Sequence, residues 1–198
     1  MMARAGMSSL DIDLTRMHRR TVTSFYSNLV TRPTGRAVRM GVESQLAELE
    51  PGRNLCLSVL DFSQVNILDY SCADEIVAKL LLRYLASDRP AEAYFVARGL
   101  QDHHREAVGE VLDRHGLMLV ALEEDNTAKL LGACNPFERA CWSALAARTC
   151  ASVQEVSEDT GLPEIAVAPT LARLLAQRVA VSLPGGTVCE LSTLVPSR

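Results

Sequence analysis

Aromatic residues are scarce in this chain: they make up 5% of its 198 residues, and there is one tryptophan. A core built from this sequence is therefore mostly aliphatic. No apolar run approaches the roughly 20 residues that a membrane-crossing helix needs. Residues 1–20 mix Asp11 and Asp13 with Arg16, Arg19 and Arg20 and lack the apolar middle of a secretion signal. Both absences point to a cytoplasmic protein without a membrane partner. Positive charge is not in excess either. Twenty Lys and Arg stand against 24 Asp and Glu, a formal net charge of -4, which argues against broad adhesion to nucleic acid or to an anionic membrane. There is no C-x-x-C pair, and Cys134, Cys141 and Cys150 are too loosely spaced for a zinc knuckle. The six cysteines read as reduced, mostly buried thiols. Cys72 is set apart because a helix N-terminus lowers a thiol pKa. Adjacent His103 and His104 diverge on a helix and so do not share a metal. One glycine, Gly35, between Arg32 and Arg36 is too few for a phosphate-cradling loop. No nucleophile–base pairing stands out, so neither a cofactor nor a metal nor an enzymatic activity is expected.

What is present is enough to fold. The chain is 48% apolar and 22% charged, an ordinary balance for a packed core. Residues 1–19 read as a flexible N-terminus. Thr21 to Val30 is β-branched and aromatic enough for a strand, Thr31 to Gly35 reads as a turn, and a helix fits Arg36 to Leu49. Leu55 to Phe62 reads as a buried strand, followed by a short polar connection and a helix from Ser71 to about Ala86. Ala93 to Ala97 and Leu117 to Leu122 read as strands. Between them a helix starts at Asp102 and ends at His115, closed by Gly116. Asn126 to Leu131 reads as a short helical piece. The alternation β-α-β-α-β-α-β over residues 20–132 implies an α/β sheet covered by helices. After a break at Gly132 to Pro136 the grammar changes. Residues 135–198 spell three helices, the second capped by Ser152, and a hairpin turning at Gly185-Gly186, which is the order of a winged helix.

The most informative stretch is Asp61-Phe62-Ser63-Gln64-Val65 followed by Asp69-Tyr70-Ser71-Cys72-Ala73-Asp74-Glu75. Ser71 has the chemistry of an N-cap, and Asp74 three residues later completes a capping box. These letters resemble the STAS fold shared by anti-sigma-factor antagonists and sulfate-transporter tails, which shows D-F-S-x-V, a spacer, then D-S-S-G-L-G. Asp69 matches the motif aspartate. Ser71 matches the serine that, in the antagonists, a partner kinase doubling as the anti-sigma factor phosphorylates. The sequence departs at Cys72-Ala73-Asp74-Glu75, where the antagonists have Gly-Leu-Gly, and is there similar to a divergent STAS-like branch. The resemblance implies a bacterial regulator that works by partner switching. Ser71 would be its phosphorylation and switch residue, and Asp69, Tyr70, Cys72, Asp74 and Glu75 would contact a kinase or anti-sigma-like protein. Because Asp74 and Glu75 would lie beside the phosphate, two alternatives stand: phosphorylation acts as a disruptive switch, or it does not occur and Ser71 is only a helix cap.

Residues 135–198 are similar to the winged helix-turn-helix of bacterial regulators through Val153 to Leu162 and Leu171 to Leu175. Their charge speaks against DNA. Arg139, Arg148, Arg173, Arg178 and Arg198 face Glu138, Glu155, Glu158, Asp159, Glu164 and Glu190, with no lysine, where a DNA module shows a basic face. A protein-contact role is therefore expected. The alternative is a DNA-binding regulator that uses Thr170, Arg173 and Arg178, with the STAS-like part as sensor or dimeriser. A homodimer fits either reading.

Overall fold

A computed structural model of the chain describes residues 19–48, 56–125 and 127–191. The expectation of a flexible N-terminus falls almost wholly outside them. The architecture is mixed α/β, with a mostly parallel sheet covered by helices. Strand β1 (Arg19–Leu29) leads to α1 (Arg32–Ala47), and β2 (Cys56–Leu68) leads to α2 (Tyr70–Ala73). A π-helical turn (Asp74–Ala78) joins α2 to α3 (Lys79–Leu85). Then come β3 (Ala93–Arg98), α4 (Asp102–His115), β4 (Met118–Leu122) and β5 (Ala128–Gly132). The sheet order is β1-β2-β3-β4-β5, with the first four strands parallel and β5 antiparallel to β4.

Three sequence expectations change here. Helix α1 starts at Arg32, inside the expected turn, because Thr31 caps it and Pro33 suits a first helical turn. Strand β2 runs on through the expected polar connection, because β1 continues beside it to the pair Leu29 and Leu68. The expected helical piece near Leu131 is β5, which completes the sheet edge against β4.

Strands β1 to β4 lie side by side in chain order, so crossovers of one hand place α1 to α4 on one face. Side-chain alternation then gives the sheet two apolar faces. Cys56, Leu60 and Phe62 of β2 share a core with α1 to α4, as do Phe95 of β3 and Leu119 of β4. Their neighbours Leu57, Val59, Tyr94, Val96, Met118, Val120, Leu122 and Leu130 point the other way.

Residues 136–191 cover that second face. They form α5 (Pro136–Arg148), β6 (Cys150–Ala151), α6 (Val153–Thr160), α7 (Glu164–Ala176), β7 (Ala180–Ser182) and β8 (Val188–Glu190), with a small antiparallel sheet ordered β6-β8-β7. Helices α5 and α6 each carry a capping box, Asn135 with Glu138 and Ser152 with Glu155. Trp142, Leu145, Val156, Val167, Leu171 and Leu174 join the sheet's second face in one buried cluster. Polar ties cross the same seam. The Met118 N–H donates to Gln177 Oε1 at 3.2 Å, and Gln177 Nε2 donates to the Gly116 carbonyl at 3.3 Å. Cys150 and Cys189 are opposed across β6 and β8 and form a disulfide. The expectation of six reduced thiols is thereby corrected, since strand register, invisible in Cys spacing, brings the two together. Leu171→Ala, at the centre of the shared cluster, is expected to lower unfolding free energy by about 2–5 kcal/mol in urea titrations.

Candidate functional site

The chain leaves β2 at Leu68 and turns at Asp69 into α2. Asp69 Oδ1 accepts the Ser71 N–H at 2.7 Å and the Ser71 hydroxyl at 2.5 Å. These bonds from Ser71 hold the Asp69 carboxyl below its ordinary pKa. The Asp69 N–H donates to the Leu29 carbonyl at 2.8 Å, which ties this corner to the end of β1. The cap is therefore Asp69 and not Ser71. The serine donates into the cap, and the expected box between Ser71 and Asp74 gives way to it, because Asp74 is engaged elsewhere.

Asp74 and Glu75 start the π-helical turn and are buried. Such turns are rare and often mark functional sites. Arg32 Nη1 donates to Asp74 Oδ2 and to Glu75 Oε1, each at 3.0 Å. His115 Nε2 lies 2.8 Å from Asp74 Oδ1, and Lys79 pairs with Glu75 Oε1. Arg39 Nη2 stands 3.6 Å from Glu75 Oε2, within ion-pair reach but too far for a hydrogen bond. Burial pushes both carboxyl pKa values up. Hydrogen bonds from His115 and Arg32 to Asp74, and from Lys79 and Arg32 to Glu75, outweigh it and hold both below the ordinary range. The expectation of two exposed carboxylates at a helix mouth is corrected: they form a charge lock joining α1, α4 and the π turn. His115, at the C-terminal end of α4, belongs to this lock.

Helix α1 comes close enough because of Gly35. A Cβ there would sit 2.9 Å from Cys72 Cα and 3.0 Å from Glu75 Cβ. Cys72 is fully buried, its Sγ donates to the Thr31 carbonyl at 2.9 Å, and burial pushes its thiol pKa up. The expectation of a lowered Cys72 pKa is therefore reversed. Of the expected contact residues, Asp69 is exposed and Tyr70 and Ser71 are half-buried. Cys72, Asp74 and Glu75 are buried and offer a partner no free side chain.

The DNA candidates are engaged within the chain. The Thr170 hydroxyl donates to the Ala166 carbonyl at 2.7 Å. Arg173 Nε pairs with the buried Glu138 at 2.6 Å. Arg178, with a side chain 11% exposed, reaches across to the sheet: Nη2 lies 2.5 Å from Glu92 Oε2 and Nη1 2.9 Å from the Ala93 carbonyl. Its guanidinium stands 4.9 Å from the Tyr94 ring centre. This arginine fastens residues 136–191 to the sheet.

A cavity of about 930 Å³ opens beyond β3 and β4, at the start of α4. Its charges are largely paired with one another. Arg98 grips Asp61 Oδ2 through Nε at 3.0 Å and Nη2 at 2.7 Å, while Arg105 and Lys129 hold Glu123. The neighbouring His103 and His104 are used structurally, His103 bonding the Asn66 carbonyl and His104 Nδ1 accepting the Gln101 N–H. Among the described residues no His, Cys, Asp and Glu group is arranged to hold a metal, and no helix is long and apolar enough to cross a membrane. No protein family, curated protein or solved structure matches the chain.

Three measurements follow from this geometry. Asp74 and Glu75 have folded pKa values below their ordinary ones, so their stabilisation is complete above about pH 5 and is lost progressively in the acid range below it. Urea midpoints across that range should fall steeply for the native chain and less steeply for Asp74→Asn combined with Glu75→Gln. Gly35→Ala meets backbone that cannot yield and should cost about 1–3 kcal/mol, read by thermal unfolding. Arg178→Ala should cost about 1–3 kcal/mol, less than a fully buried pair because Glu92 stays partly exposed, whereas a side chain reserved for DNA would leave stability unchanged.

Proposed function

We propose that the chain is a regulatory protein of the STAS-like kind, acting by protein–protein contact and switched by phosphorylation at Ser71. The observation that carries this reading is the Ser71 hydroxyl, half-buried at a chain corner and donating its proton to the Asp69 cap. A phosphate ester removes that proton and sets a near-dianion against the Asp69 carboxylate. The cap then loses its side-chain bond, and the corner at the ends of β1 and β2 opens. Val30, 47% exposed, and Ile67, 50% exposed, lie at that corner and supply apolar contact for a protein partner. The charge lock beneath keeps α2 from unravelling further, so the switch remains local. On this reading residues 136–191, with helix, strand, two helices and a hairpin in winged-helix order, serve as packing and contact surface.

DNA binding is the second reading. Thr170 and Arg178 are engaged within the chain and Arg173, though half-exposed, is paired with Glu138, so the protein-contact reading is preferred. The test pairs two measurements. Peptide mass spectrometry of the chain purified from its own cells should find a phosphate on Ser71. Titration calorimetry against the protein that co-purifies with the native chain should give Ser71→Ala near-native affinity and Ser71→Asp at least about tenfold weaker binding, a loss of roughly 1.4 kcal/mol. Equal affinity of the two variants would refute the switch.

A further inference from the structure

Strand β1 spans 11 residues and pairs with β2 along one side, and among the described residues nothing pairs with its other side. An open edge of that length is a template for another strand, and proteins blunt such edges with charge, proline, bulges or short strands. Charge appears only at the start of β1, as Arg19 and Arg20, and the other devices are missing from it. Thr21 to Val30 contains no charged residue, no proline and no glycine, and it is rich in β-branched and aromatic residues. The sheet has two register shifts between β1 and β2, and both place the additional residue on β2. Ser24 to Tyr26 runs opposite Asp61 to Gln64, and Ser27 to Asn28 opposite Val65 to Ile67. The edge strand itself is uninterrupted.

We propose that the outer edge of β1 is a self-pairing seam, at which two copies of this chain join antiparallel about a two-fold axis near Phe25 to make one continuous sheet. The charge pattern selects a second copy as the occupant. In a two-fold pairing each residue faces one from the same short sequence, so any charge near the centre meets its like. The centre of β1 carries none. Its two cations, Arg19 and Arg20, lie at the start of the strand. Antiparallel pairing sends the two copies' arginines to opposite ends of the seam, roughly 35–40 Å apart at about 3.4 Å per residue. This seam is separate from the Ser71 corner and stands whether or not that serine is phosphorylated.

Sedimentation equilibrium of the full chain decides the matter. Twice the chain mass of 21.6 kDa is expected at the higher concentrations. Ser24→Lys sets two ammonium groups about 7–8 Å apart on the diagonal and should weaken self-association about fivefold or more. Ser24→Glu should do the same, and an equimolar mixture of the two variants should recover the doubled mass. That recovery separates repulsion at the seam from misfolding. A wild-type chain that stays at 21.6 kDa, or variants that associate as tightly as wild type, would overturn the seam.

Discussion

A parallel sheet wound in one direction carries its crossover helices on one face, and its strands have no choice about the other. In β2, β3 and β4 the alternation of side chains leaves Leu57, Val59, Val96 and Met118 facing away from α1 to α4. Burying one such side chain is worth about 1.5–3 kcal/mol. The net stability of a domain is only about 5–15 kcal/mol. A second face of this composition left in water would remove most of that margin. Residues 136–191 supply the cover, and the polar ties from Gln177 and Arg178 fix where it sits. The break in sequence grammar near Pro136 is therefore not a break in the core: the buried side chains on its two sides belong to one cluster.

On the opposite face the charge lock around Asp74 and Glu75 does a different job. Two buried carboxylates are costly unless each is paired and hydrogen-bonded. Arg32, Lys79, Arg39 and His115 provide that pairing from three helical elements. The lock fixes the first turns after β2 and sets the Asp69–Ser71 cap on a stiff base. On the proposed reading, a change of charge at this half-buried hydroxyl would alter the surface locally while the paired carboxylates beneath hold the helix start.

The alternation of strand and helix through residues 20–122 is legible in the sequence because apolar periodicity changes from two to about 3.6 at turn residues such as Gly116. The cap at Ser152 is legible because a serine with Glu155 three residues on is a local signal. Long-range pairings are not. The salt bridge between Glu75 and Lys79 sits at helical spacing, so the sequence hints at it. Arg32 and His115, some forty residues away on either side, carry no such hint, and without them Asp74 and Glu75 read as exposed. Ser71 looks like the cap because a serine before an apolar run fits the rule, yet Asp69 two residues earlier is the stronger acceptor. Arg178 reads as solvated helix surface until the sheet is placed beneath it. The near-continuous apolar content of Leu57 to Leu60 does carry the message that both faces are covered, but not which segment covers the second.

The shared core makes one demand that a single experiment can meet. Trp142 is the only tryptophan, and it lies in the cluster that joins residues 136–191 to the sheet. Its fluorescence reports that cover, while far-UV circular dichroism reports all helices and strands together. In one urea titration the two signals should trace a single transition with a common midpoint. A tryptophan transition completed while most of the dichroism persists would show a sheet that stands without its cover, and would contradict the account.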